Sequence, residues 1–217
     1  KLYLSQAEKR DSGLRPRTVH HRRWVPHLRP SQLTPTERED IVKGKFFLFS
    51  FVRHPLKRVV SAYRDKILGN RPQKAEILRT LGHDPDDLET YISFEEFVTA
   101  ITAQRPKDLN PHWRPQAWNL AFGVLPYHFI GRVEELDRDL IELKNRLNLP
   151  DYPLITRNVK EERGDPLSEL NRRNHRALLR LYRRDFRAFG YAEKDLEGKG
   201  EVSPFPEAAS GKEVQKR

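Results

Sequence analysis

Phe51-Val52-Arg53-His54-Pro55-Leu56-Lys57-Arg58-Val59-Val60-Ser61-Ala62-Tyr63-Arg64-Asp65-Lys66 is the stretch whose reading decides the fold. Just upstream, Lys45 to Val52 (KFFLFSFV) is short, rich in aromatics and almost wholly apolar. That pattern predicts a strand buried on both faces, as in a parallel sheet. His54-Pro55 stops the strand, and Pro55 suits the first position of a helix. Leu56, Val59, Val60, Tyr63 and Ile67 then fall on one apolar stripe, and Gly69-Asn70 closes the helix. The unit is a strand, a tight loop and a helix. The first N–H groups of such a helix have no intrahelical acceptor, and the helix dipole is positive there, so an anion such as phosphate fits. Arg53, at the carboxyl end of the strand, can hold phosphate oxygens with a two-pronged contact. Ser61, two turns into the helix, offers a hydroxyl to a ligand lying along it. Ligands of open α/β sheets bind outside the carboxyl ends of the strands. The plainer alternative is an ordinary strand-to-helix corner with a surface ion pair.

Working outward, residues 1–30 are basic and irregular, with His20-His21 followed by Arg22-Arg23. Thr34-Pro35-Thr36-Glu37 predicts a capped helix start, with an end near Gly44. Residues 71–90 are polar apart from an amphipathic piece around Ile77 to Leu81. Ser93 and Glu96 form a second capping box, ahead of an apolar face of Phe94, Phe97, Val98 and Ile101. Residues 104–116 read as a polar loop containing His112-Trp113. Tyr127 to Val133 predicts a second strand, and Leu136, Leu140, Leu143 and Leu147 share one face of the helix after it. A loop over 150–166 leads to a last helix from Leu167 to Phe189. Leu178, Leu181, Tyr182, Phe186 and Phe189 should face inward, with Arg172, Arg173, Arg176, Arg180, Arg183, Arg184 and Arg187 outward. The expected architecture is α/β, mostly helical by residue count, with a small parallel sheet flanked by helices. Residues 1–193 are expected to form the domain, and 194–217, rich in Gly, Pro, Glu and Lys, a disordered tail.

Of the 217 residues, 36% are hydrophobic and 33% charged, which gives a modest core under a heavily ionic surface. A net charge of +10 favours anionic partners: a nucleotide, an acidic polysaccharide, nucleic acid or an anionic membrane face. With no Cys, disulfides and thiolate metal sites are excluded, and a reducing cytoplasm is the expected setting. No apolar run reaches the roughly 20 residues that span a bilayer. No Met occurs, position 1 included, so the chain is expected to be part of a longer protein.

The run FVRHPLKRVVSAYRDK resembles the 3′-phosphate-binding motif of PAPS-dependent sulfotransferases (PAPS is 3′-phosphoadenosine 5′-phosphosulfate). It is nearest the Golgi carbohydrate sulfotransferases of chondroitin/dermatan type, sulfotransferase family 2, and their bacterial relatives. The resemblance implies that Arg53 and Ser61 bind the 3′-phosphate, and Arg58 and Tyr63 also match the pattern. Other segments agree in order. His21-Arg22 with its following Leu-Arg-Pro stretch resembles the region before the motif strand, and Asn110-Pro111-His112-Trp113 the family's Asn-x-His-Trp loop. Phe129-Ile130-Gly131-Arg132-Val133-Glu134-Glu135-Leu136 resembles its strand-to-helix step, and Leu181 to Tyr191 its closing helix. The similarity runs over about residues 20–191.

Two departures stand out. Residues 1–20 contain no counterpart of the family's P-loop-like turn for the 5′-phosphosulfate, and Ala117 to Pro126 lacks the paired Cys of the Golgi members.

By resemblance, the fold is expected to be P-loop-kinase-like and the reaction to be sulfuryl transfer from PAPS to a carbohydrate hydroxyl, releasing PAP (3′,5′-ADP). PAPS is the co-substrate and the chemistry needs no metal. The acceptor proton needs a base, for which His21 is favoured, with His20 and His112 as alternatives. The expected partner is a saccharide or polysaccharide acceptor, anionic in one variant, with no nucleic acid. Two rivals stand beside this reading: a non-catalytic polyanion- or nucleic-acid-binding basic protein, and a degenerate homologue that binds PAP and transfers nothing. The alternative location is the Golgi lumen, with an anchor outside this sequence.

Overall fold

A computed structural model of the chain describes residues 33–149 and 170–192. The described residues divide into two compact units: 33–51 with 122–149, and 52–121 with 170–192. Among the described residues, helices outweigh strands, and the two strands form one small parallel sheet, as the sequence predicts.

In the first unit, helix α1 (Pro35–Val42) starts as expected. The Thr34 hydroxyl accepts from Glu37 N at 3.2 Å, and Glu37 Oε2 accepts from Thr34 N at 2.7 Å, so two orphan donors of the first turn are satisfied. The bond to Thr34 holds the Glu37 carboxyl below its usual range. Strand β1 spans Leu48–Val52, three residues shorter than Lys45–Val52. It is half-buried up to Val52, not covered on both faces, and Phe46 and Phe47 are exposed. An aromatic-rich apolar run is consistent with a covered strand, but the run alone does not say how much covers it.

Strand β2 (Tyr127–Arg132) pairs with β1. Gly131 is needed there, because a Cβ at that position would stand 2.4 Å from Phe51 Cε1 and 3.0 Å from Phe129 Cε1. The helix that follows β2 runs over Leu136–Arg146 and packs on it. Of the four leucines expected on its inner face, only Leu143 is fully buried. Asp139, at 5% exposure, accepts the Arg132 N–H at 2.6 Å and fixes the turn between strand and helix.

The second unit holds the main core. Helix α2 (Pro55–Ala62) buries Leu56, Val59 and Val60, and its continuation buries Tyr63 and Ile67, which completes the expected stripe. Over Tyr63–Ile67 the helix widens to i→i+5 bonding, a turn that hydrophobic periodicity does not reveal. Helix α3 (Lys74–Leu81) and helix α4 (Phe94–Thr102) pack on each other and share its core cluster. The Ser93–Glu96 capping box forms as predicted, with Ser93 N donating to Glu96 Oε2 at 2.8 Å. Trp113 is fully buried, edge-on to Phe97.

A short helix α5 (Gln116–Asn119) begins at the last residue of the expected loop. The single closing helix of the sequence reading is two, α7 (Arg172–Leu181) and α8 (Arg183–Ala188), broken at Tyr182 (the Leu136–Arg146 helix being α6). Leu178, Tyr182 and Phe189 are buried, Leu181 and Phe186 partly so, and all seven arginines are exposed. Residues 194–217 lie outside the described residues.

Candidate functional site

The site is built where β1 hands the chain to α2, and all of it lies within the second unit. Pro55 opens α2 and His54 makes no side-chain cap. Arg58 N donates to His54 O at 2.9 Å, so the helical ladder begins at Arg58. The N–H groups of Leu56 and Lys57 are left without an intrahelical acceptor, at the positive end of the dipole. Arg53 is half-buried beside them, and no described group forms an ion pair or hydrogen bond with its guanidinium. Its backbone is held firmly. Arg53 N donates to Gln116 Oε1 at 2.9 Å, and Gln116 Nε2 donates to Arg53 O at 2.8 Å. One carboxamide thus replaces the neighbouring strand at the point where β1 ends. Ser61 is half-buried two turns along the helix.

The flanking residues are fixed too. His54 is buried, with edge contacts to Phe186 and Tyr191. Its Nε2 lies 3.1 Å from Ala192 O, and because a carbonyl only accepts, Nε2 carries the proton. The Tyr191 hydroxyl donates to Val52 O at 3.4 Å. These contacts put the closing segment behind residues 52–54.

Arg58 does not face the site as a free cation. Its guanidinium donates to Arg114 O at 2.8 Å and Pro111 O at 2.6 Å, and so anchors the loop carrying His112. Burial lowers its pKa, opposed by Tyr182 and the Asp185 carboxylate. Tyr63, the other residue that matches the motif, donates its hydroxyl to Ile92 O at 2.8 Å and ties α2 to the segment before α4.

His112 is exposed on that loop. Its Nδ1 lies 2.7 Å from Asn110 Oδ1, while Asn110 Nδ2 donates to Glu76 Oε2 at 3.1 Å. The glutamate accepts, so the Asn110 oxygen faces the ring and His112 donates from Nδ1. Nε2 of the neutral ring is then left as the acceptor. Partial burial is the main cause of a pKa below 6.5, assisted by the positive charges of Lys66 and Arg58. His20 and His21 lie outside the described residues. Among the described residues no group of His, Cys, Asp or Glu could hold a metal ion.

Sequence reasoning missed Gln116 and Asp185. The Asp185 carboxylate is fully buried and accepts Gln116 N at 2.6 Å and Ala117 N at 2.8 Å. Burial raises its pKa, against these two hydrogen bonds and the charge of Arg58. One signal was legible: Asp185 is the sole carboxylate among the residues of α7 and α8, beside seven arginines. Gln116 had none, since a polar residue after Pro115 reads as loop.

A Sulfotransferase family model matches residues 4–192. Carbohydrate sulfotransferase 14 of Danio rerio is 29% identical over 177 residues, which cover 74% of this chain and 48% of the relative. Carbohydrate sulfotransferase 14 of Homo sapiens is 31% identical over 113 residues, 49% of this chain and 30% of the relative. Carbohydrate sulfotransferase 12 of Xenopus laevis is 28% identical over 176 residues, 70% of this chain and 41% of the relative. The chain therefore spans at most about half the length of these relatives. No solved structure matches it. With most of its length inside the family match and the phosphate-ready corner inside that span, the chain belongs to the sulfotransferase family.

Proposed function

We propose that this protein binds PAPS and transfers its sulfuryl group to a hydroxyl of a carbohydrate acceptor. The observation that supports this best is the corner at Arg53. Arg53, whose guanidinium has no partner among the described residues, directly precedes the helix turn whose Leu56 and Lys57 N–H groups lack intrahelical acceptors, and its backbone is pinned at both polar atoms. Such a donor set fits a phosphate dianion. Arg53, Ser61 and the first turn of α2 hold the 3′-phosphate of the nucleotide, which when bound supplies the activated sulfuryl group and leaves as PAP. Positioning both ends of the reaction is the protein's main task, with charge stabilisation at the leaving oxygen and a base for the acceptor proton.

We assign the base to His112. Its Nδ1 is committed to Asn110, and its depressed pKa leaves Nε2 unprotonated at neutral pH. It also lies within the electrostatic reach of Arg58, Asp65 and Lys66, residues that flank Ser61 along one helix. His21 and His20 are the rivals, and separate alanine variants in a sulfuryl-transfer assay discriminate the three.

Among the described residues no helix is long and apolar enough to cross a membrane. The Golgi-lumen alternative rests on the motif's resemblance to the Golgi carbohydrate sulfotransferases. The cytoplasmic expectation rests on the lack of Cys alone and gains nothing from them.

The test is calorimetric binding of PAP against 5′-AMP. The proposal expects PAP to bind much more tightly, since AMP lacks the 3′-phosphate. The rival polyanion binder, using the exposed arginines of α7 and α8, favours PAP only through its extra charge, and that preference collapses together with the affinity as salt rises.

A further inference from the structure

Between Leu109 and Ala117 the chain is held by an unusual density of side-chain bonds. Arg58 binds the carbonyls of Pro111 and Arg114, Arg114 Nε donates to Leu109 O at 2.8 Å, and the Tyr182 hydroxyl donates to Trp113 O at 2.6 Å. Asp185 then takes the N–H groups of Gln116 and Ala117. Burying a carboxylate is costly, and an apolar residue or a neutral cap would hold a four-residue helix more cheaply. What this carboxylate secures is the first residue of α5, Gln116, whose side chain alone satisfies both backbone groups of Arg53. Fixing N and O of one residue fixes its φ and ψ, and with them the direction of its Cα–Cβ bond. The contacts of His54 with Phe186 and Tyr191, and of Val52 with Tyr191, brace the neighbouring residues from the same closing segment.

We propose that Gln116 and Asp185 are positioning residues of the 3′-phosphate site: Asp185 orients Gln116, and Gln116 aims the Arg53 guanidinium at the phosphate. The proposal rests on the 3′-phosphate reading of Arg53. Neither residue touches the nucleotide. Their effect reaches it through the Arg53 backbone and belongs to the phosphate end alone.

The experiment measures PAP and 5′-AMP affinity by calorimetry, and amide hydrogen exchange across residues 51–60, on wild type, Gln116→Ala, Asp185→Asn and Ser93→Ala. Ser93→Ala removes a helix cap in the same unit, remote from the corner in sequence, and controls for lost stability. In Gln116→Ala the Arg53 amide should exchange faster, PAP affinity should fall about tenfold, the scale of one lost hydrogen bond to a charged group, and AMP affinity should hold within about twofold. Asp185→Asn should follow in the same direction, and Ser93→Ala should keep the PAP-to-AMP ratio.

Faster exchange at Arg53 with an unchanged ratio overturns the positioning role while leaving the phosphate reading intact. Equal binding of PAP and AMP by wild type overturns both. Should Asp185→Asn fail to fold, Gln116→Ala, at a position outside the main core cluster, decides the question alone.

Discussion

Replacing Arg53 by alanine is the sharpest test of the donor site, because the structure separates its side chain from its backbone. Gln116 binds only Arg53 N and O, which alanine keeps, so the corner should hold its shape. The guanidinium has no partner among the described residues, so removing it leaves no stranded carboxylate. What is lost is a charge-assisted contact to one phosphate, worth about 1.5–3 kcal/mol net. At 1.4 kcal/mol per tenfold, PAP affinity falls about 10- to 140-fold. The N–H groups of Leu56 and Lys57 remain and retain part of the binding, so PAP still binds better than AMP. Arg53→Lys, a point charge without the fork, falls between wild type and alanine. Titration calorimetry with PAP and 5′-AMP on the three proteins measures this directly. An equal loss for both nucleotides would mean that Arg53 serves the fold or another part of the ligand, and no loss would remove it from the site.

Three further outcomes follow from the geometry. The His112 ring should titrate below 6.5 by NMR, Lys66→Ala should raise that midpoint by removing an opposing charge, and His112→Ala should slow sulfuryl transfer about 10²- to 10⁴-fold while PAP affinity stays put. Gly131→Ala drives a methyl to 2.4 Å from the Phe51 ring and should cost about 1–3 kcal/mol in urea unfolding, by overpacking against an aromatic pair. Asp185 has a folded pKa above its ordinary 3.8, so the folded state holds its proton over a window that opens at 3.8 and runs upward. Its contribution to stability is full below that window and is lost as pH rises through the raised value, so the stability difference between wild type and Asp185→Asn should shrink with rising pH. A difference flat across pH would contradict it.

The strand-to-helix corner was legible because it is local. A strand, a proline break and an apolar stripe at helical spacing lie within about twenty residues, and each acts through its immediate neighbours. The two capping boxes were legible for the same reason. What supports the corner was not, since Gln116 and Asp185 lie 63 and 68–69 residues from the groups they bind. No periodicity announces a carboxamide that imitates a strand. The break at Tyr182 escaped because its residues keep helical spacing on both sides, and the half-burial of β1 because an apolar run does not reveal what lies over it.

The reach of Asp185 back to Gln116 also sets an order of assembly during synthesis. At about 5–20 residues per second, some 7–26 s separate the making of Arg53 from the making of Asp185. Until then the nascent chain carries the motif, and from residue 116 onward its carboxamide too, without the carboxylate that secures Gln116. A chain released before residue 185 would hold every residue of the motif and lack the carboxylate that secures Gln116, so early termination yields the signature without the site.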